Sequence, residues 1–288
     1  MKFFTFLLGV TLMASTAGGM AQAADDAVLI KAREIEQRLE ARVGLAIYDT
    51  GSNQSWLYKA DERFPMASTF KAFACATLLH QVDAGGRDLD QTVALAEADL
   101  VPYAPVMEKL VGQRVSLGEL CAATMRTSDN LAANKVLDSI GGPQQVTAFM
   151  RSIGDDTTRL DRREPELNQA TPGDMRDTTS PAAIATSLRE LVLGDALSAS
   201  SRARLTAWLV ENEVGGPLLR SGIPQDWRIG DRTGAGGYGS RGVVAVIWPP
   251  EREPIVAAIY LTGTNATMDE RNAAVAELGE ALAAAASK

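Results

Sequence analysis

Histidine is almost absent from this chain. His80 is the sole one in 288 residues, and only Cys75 and Cys121 could join it as soft metal ligands. That set is too small for the usual zinc centres, so no metal is expected. Basic charge is also scarce, with 28 Lys and Arg against 36 Asp and Glu and a net charge of −8. A chain this acidic has no electrostatic footprint for nucleic acid or an anionic membrane. A local group of arginines could still hold an anionic small molecule. Long apolar runs are missing except at the start. There Lys2 precedes an apolar stretch over residues 3–13, and small residues lead to Ala21-Gln22-Ala23. A charged start, an apolar middle and an A-x-A site describe an export signal. The run falls short of the ~20 residues of a spanning helix. Residues 1–23 are therefore read as a cleaved signal and the mature chain as periplasmic, starting near Ala24. No later run is long enough to span a bilayer.

What is present is a sequence with a substantial core. Apolar residues make up 46% of the chain, in the range of globular proteins. Two cysteines in an exported chain permit one disulfide, Cys75–Cys121, and two buried thiols are the alternative. The four tryptophans are most simply core or rim packing.

Periodicity divides the chain into three parts. Residues 27–41 suit an amphipathic helix, and 43–49 and 56–60 suit two strands about the turn cluster 49–53. A long apolar helical pattern runs from Ser68 to about Val82. Ser116-Leu117-Gly118-Glu119 is a capping-box signature for a helix start. Helical patterns continue to about Met150, broken at Gly141-Gly142-Pro143. Residues 160–179 lack a period and read as a long structured loop, a kind of segment that often carries function. Helices are expected near 181–193 and 199–212, strands at 228–233, 242–248 and 255–262, and an Ala-rich helix over 268–286. Strands at both chain ends with helices between them predict an α/β (α+β) fold. An antiparallel sheet would be assembled from both ends and flanked by terminal helices. The expected division is an α/β domain over 24–63 and 213–288 and an inserted all-α domain over 64–212.

Three short motifs carry chemistry. In Ser68-Thr69-Phe70-Lys71, a helix would bring Lys71 to the same face as Ser68. A serine needs a base to become a nucleophile, and a lysine in a dry, charge-crowded site can supply one. Ser128-Asp129-Asn130 offers a second hydroxyl and an amide, although the same residues commonly cap helices. Arg232-Thr233-Gly234-Ala235 ends a strand with a cation, a hydroxyl and a position without a side chain. That combination suits a carboxylate, with a backbone N–H nearby for an oxyanion.

Each motif alone is weak, but their order is specific. S-x-x-K, S-D-N and [K/R]-T-G in sequence resemble the penicillin-recognising serine enzymes. The resemblance extends over the whole mature chain. Within that family, Glu164-Pro165-Glu166-Leu167-Asn168 resembles the E-x-x-L-N signature of class A β-lactamases. The resemblance implies an acyl-enzyme on Ser68, with Lys71 or Glu164 assisting its formation. Ser128 would pass a proton to the leaving nitrogen, and the N–H groups of Ser68 and Ala235 would form the oxyanion hole. Glu164 and Asn168 would hold the water that frees the enzyme. It also implies a cis bond before Pro165, a solvated Glu166, and an Arg162–Asp177 ion pair at the loop base whose worth depends on its burial. The two cysteines match positions where many class A enzymes carry a disulfide.

Tyr103, Asn130, Arg232, Thr233, Gly234 and Arg241 are the expected substrate-binding residues. Gly236 and Gly237 resemble a narrow strand edge. His80 is read as structural. Arginine at position 232 resembles the carbenicillin-hydrolysing subgroup, which predicts good turnover of carboxypenicillins. The expected partner is a small-molecule β-lactam, with no cofactor and a monomeric enzyme conferring resistance. A cell-wall D,D-peptidase and a non-catalytic β-lactam sensor are the two rival readings.

Overall fold

The computed structural model describes residues 22–287, with side chains from Ala27 onward. The predicted export signal lies outside the described residues, except for its last two positions. The chain runs α1 (Gln22–Arg38), β1 (Arg42–Asp49), β2 (Ser55–Tyr58), β3 (Phe64–Pro65), α2 (Phe70–Asp83), β4 (Thr92–Ala94) and β5 (Arg114–Ser116). It continues through α3 (Leu117–Thr127), α4 (Asn130–Ile140), α5 (Pro143–Ser152), β6 (Thr178–Thr179), α6 (Pro181–Val192) and α7 (Ala199–Val210). The last elements are α8 (Leu219–Gly222), β7 (Arg228–Ala235), β8 (Arg241–Trp248), β9 (Ile255–Thr262) and α9 (Met268–Ala286). No described helix is long and apolar enough to cross a membrane.

Five strands form one antiparallel sheet in the order β2-β1-β9-β8-β7. The two chain ends meet at its centre, where Arg42 pairs with Thr262 and Asp49 with Ile255. Both faces are covered. Val243, Ala245 and Ile247 of β8 and Ala257 and Ile259 of β9 pack with Val28, Ile35, Val275 and Leu278 of α1 and α9. The alternate residues Val244, Val246, Val256, Ala258 and Tyr260 face the helical core built on α2, α4 and α6. A period of two thus sends neighbouring residues into different cores. A strand buried on both sides reads as a continuous apolar run, and every residue of β9 is buried.

Several local expectations meet their cause here. Ser116 Oγ accepts from Glu119 N at 3.2 Å while Glu119 Oε2 accepts from Ser116 N at 2.9 Å, a reciprocal cap on α3. Gly141, at φ 99°, ends α4, and Pro143 opens α5. The first helix begins five residues earlier than its periodicity indicates and ends at Arg38. Three features carry no sequence signal: the short β4–β5 pair, four-residue α8, and β6, which closes the 160–179 loop against β3. Cys75 and Cys121 form a disulfide between α2 and α3, with Cα atoms 5.8 Å apart. His80 is exposed on α2, with its ring 4.8 Å from that of Phe149.

Candidate active site

Ser68 does not open an α-helix. It sits in a 3₁₀ turn, Ala67–Thr69, and α2 starts at Phe70. Lys71 follows in the first turn of α2 and is wholly buried. The turn lies against the edge of β7. A Cβ at Gly234 would stand 2.7 Å from Met66 O and 3.0 Å from Ser68 N. A side chain there would push the strand off the serine.

The second motif turns a corner between helices. Ser128 adopts the left-handed conformation, φ 65°, at the end of α3. Asp129 caps α4, its Oδ1 accepting from Ala132 N at 2.8 Å. Its Oδ2 accepts from Val106 N and Met107 N, pinning the segment that carries Tyr103. Asn130 extends that grip: its backbone N–H donates to Tyr103 O and its Nδ2 to Pro102 O. The capping reading of this motif and its place in the site are therefore the same arrangement.

The motif side chains converge at the cleft floor. Lys71 Nζ donates to Ser128 O at 2.9 Å, Ser128 Oγ at 3.1 Å and Asn130 Oδ1 at 2.6 Å, and lies 3.0 Å from Glu164 Oε1. Arg232 Nη2 also donates to Ser128 Oγ. With two donors on that oxygen, its own hydrogen is left to point elsewhere. Ser68 Oγ donates to Glu164 Oε1 at 3.4 Å, a long bond, and Asn168 Nδ2 donates to Glu164 Oε2. Among the described residues Lys71 has no hydrogen bond to Ser68 Oγ; the carboxylate stands between them. Burial pushes Lys71 down to about 8 against the opposing pull of Glu164, and pushes Arg232 down to about 10.

The cleft holds about 390 Å³ and is lined by Ser68, Tyr103, Ser128, Asn130, Asn168, Thr233, Gly234, Ala235 and Arg241. The sequence expectations thus meet in one place, with Lys71, Glu164 and Arg232 behind the lining. Tyr103 is 58% exposed at the mouth. Arg232 is fully buried and does not fork into the cleft; its Nε and Nη1 have no partner among the described residues. Arg241 is held by Asn272 Oδ1 at 2.8 Å and Gly234 O at 3.0 Å, and burial pushes it down to about 10. Glu166 is exposed and the Glu164–Pro165 bond is cis.

The 160–179 loop is braced at its base and at its middle. Arg162 Nε donates to Asp177 Oδ2 at 2.5 Å, and Asp177 is 1% exposed. The arginine makes one contact there rather than a two-pronged one; its Nη1 goes to Gln169 Oε1 at 2.7 Å. Asp177 Oδ1 accepts from the N–H groups of Asp161 and Arg162. At the other side, Gly237 N donates to Asn168 O at 2.8 Å. A Cβ at Gly237 would meet Gln169 O at 2.3 Å.

Residues 29–286 match the model of the "Beta-lactamase enzyme family". The chain is 52% identical over 262 residues to β-lactamase AER-1 of Aeromonas hydrophila, covering 90% of this chain and 86% of that one. It belongs to the β-lactamase family. β-Lactamase PSE-4 of Pseudomonas aeruginosa is 48% identical over 250 residues, 87% of each chain. A solved ancestral class A β-lactamase superposes with a TM-score of 0.87 at 51% identity, over 88% of this chain and 98% of that one. The chromosome-encoded β-lactamase of Vibrio parahaemolyticus gives 0.87 at 44% identity, over 88% and 97%. The protein is a class A serine β-lactamase, a hydrolase of the β-lactam amide, and nothing favours the peptidase or sensor readings.

Three residues of this candidate site escaped the motifs. Asn134 brackets Glu164, accepting from its N–H at 3.0 Å and donating to its carbonyl at 2.9 Å. It lies four residues after Asn130, on the same helix face, and that spacing could have exposed it. Val214 and Met268 also line the cleft, on segments without a chemical signature.

Proposed function

We propose that Ser68 attacks the β-lactam carbonyl and that Glu164 takes its proton, with Lys71 as the second acceptor. The observation that carries this is the division of the Glu164 carboxylate. One oxygen faces Ser68 and Lys71, and the other faces Asn168. One group can therefore serve both halves of the reaction. The backbone N–H groups of Ser68 and Ala235, both at the cleft wall, form the oxyanion hole. Ser128, with its oxygen occupied by two cationic donors, gives its hydrogen to the departing nitrogen. Asn168 Oδ1 is buried without a partner among the described residues, so amide and carboxylate together can hold a water for deacylation.

The substrate carboxylate is drawn by charge. Lys71, Arg232, Arg241 and the Arg220 paired with Asp231 set four cations against Glu164, Asp231 and Asp129. Thr233, Asn130 and Gly234 present polar groups and room along the edge, and Tyr103 covers the mouth. This surplus also supports the carboxypenicillin preference, by field rather than by direct contact with Arg232. The enzyme acts as a monomer in the periplasm, free of membrane and nucleic acid. Residues 24–63 and 213–288 form one domain and residues 64–212 the other, with the cleft at their seam.

Nitrocefin and benzylpenicillin hydrolysis by the wild type and Ser68→Ala tests the reading. Turnover should be lost in the variant, and mass spectrometry should show no penicilloyl adduct. Persistent hydrolysis by Ser68→Ala would remove Ser68 from the reaction.

A further inference from the structure

Beneath the wall formed by Val214 lies a buried polar cluster with no part in the scheme above. Asp231 sits on β7 beside Arg232 and is fully shielded. Its Oδ1 accepts from Arg220 Nε at 2.7 Å and from Asn212 Nδ2 at 3.1 Å. Its Oδ2 has no partner among the described residues. Arg220 Nη2 in turn donates to Leu209 O and Val210 O at the end of α7. Asn212 reaches two ways, because its Oδ1 also accepts from Val214 N at 3.1 Å. The intervening chain lies directly on the carboxyl: a Cβ at Gly215 would stand 2.4 Å from Asp231 Oδ2 and 2.8 Å from Asn212 Nδ2. A single amide thus links the strand of Arg232 to a wall of the cleft.

We infer that Asn212 is a positioning residue for substrate, fixing Val214 over the cleft by tying it to the Asp231 carboxyl. This rests on the cleft being the β-lactam site. Asn212 touches none of Ser68, Lys71, Ser128 or Glu164, so its effect falls on KM and not on the acyl-transfer step.

The two contacts need opposite senses, an acceptor toward Val214 N and a donor toward Asp231 Oδ1. An amide supplies both. A protonated carboxylic acid of the same shape also supplies both, and a carboxylate does not. Asn212→Asp therefore makes a conditional mimic, with two carboxyls sharing one proton that is lost as pH rises. The charges acting on Asp231 are Arg220 from α8, Arg232 on its own strand and Arg241 from β8. Glu213 is turned outward to Arg126.

The experiment is steady-state hydrolysis of benzylpenicillin by the wild type, Asn212→Asp and Asn212→Leu, from about pH 6 to about pH 9. Relative to wild type at each pH, Asn212→Asp should match in KM at the acid end and rise about fivefold at the alkaline end, with kcat within about twofold. Asn212→Leu, which has neither contact, should show the raised KM at every pH. A pH-independent KM ratio for Asn212→Asp, or a loss carried by kcat, overturns the inference, and this variant decides it even if Asn212→Leu does not fold. Ser68→Ala, run alongside, separates the two failures. Turnover by Ser68→Ala sinks the site reading, whereas an inert Ser68→Ala with a flat Asn212→Asp ratio sinks the positioning role alone.

Discussion

Lys71 and Glu164 face each other at 3.0 Å with both side chains shut off from solvent. A buried pair of this kind is costly to build and costlier to break on one side. The carboxylate of the pair also meets Ser68 on one oxygen and Asn168 on the other.

Glu164→Ala should separate the two halves of the reaction. Acylation persists, because Lys71 remains as an acceptor, while deacylation loses its base. A general base contributes about a hundred- to ten-thousandfold. Steady-state penicillin turnover should fall by about that amount, and intact-protein mass spectrometry should show an accumulating penicilloyl adduct. Unchanged turnover would count against the role of Glu164.

The same variant has a defined pH response. Burial lowers the pKa of Lys71, Glu164 raises it and Arg232 lowers it. Removing Glu164 takes away a raising influence, so Lys71 should fall below its present value of about 8. The amine is then free of its proton at lower pH. Single-turnover acylation by Glu164→Ala should rise with pH along a limb centred below about 8 and then level off. A limb centred near the ordinary lysine value of ~10.4 would contradict this.

Arg232→Lys should cost carbenicillin more than benzylpenicillin. The guanidinium is fully buried, and a lysine there keeps one donor for Ser128 while shifting the charge. The expected difference in kcat/KM between the two substrates is about tenfold, or ~1.4 kcal/mol. In the wild type, carboxypenicillins should exceed oxyimino-cephalosporins in kcat/KM. Equal values for both classes would remove the proposed preference.

Asp177→Asn should loosen the 160–179 loop. The carboxylate accepts from Arg162 Nε and from two backbone N–H groups. The amide keeps one acceptor and turns donors toward the guanidinium. A loss of about 2–3 kcal/mol is expected in denaturant unfolding, with slower deacylation as Glu164 and Asn168 lose their fixed spacing.

Cys75 and Cys121 should matter for stability and not for chemistry. Both sulfurs are buried, and neither residue lines the cleft. Replacing both with alanine removes a crosslink spanning 46 residues. That should cost about 2–4 kcal/mol in unfolding, with kcat/KM for benzylpenicillin held within about twofold.

The residues proposed to perform chemistry were legible because their types are constrained. A serine, a lysine one turn on and a carboxylate paired with an amide are few enough to recognise in order. The apolar strands β8 and β9 were legible because burial on both faces confines their strongly polar residues to the ends, Arg241 and Thr262. Residues 84–115 were opaque for the opposite reason: three-residue strands and single 3₁₀ turns are too short to show a period. Asn134 had a faint signal in its spacing from Asn130, whereas Asn212 had none: its importance lies in meeting the Asp231 carboxyl and the Val214 N–H, and that is set by tertiary placement.

Strand β1 takes its main partner from the far end of the chain, Arg42 against Thr262. A ribosome delivers the first long before the second. Through most of synthesis, β1 has only β2 beside it and one edge open. The strand edge that Ser68 leans on, β7, reaches the sheet only through β8 and β9. Arg232 and Gly234 therefore take their places only after the C-terminal residues have emerged. Long-range pairing of this kind slows folding and exposes unpaired edges to other chains. A truncated or stalled copy would carry the nucleophile without the wall it works against, so the activity should be all or nothing with respect to chain completion.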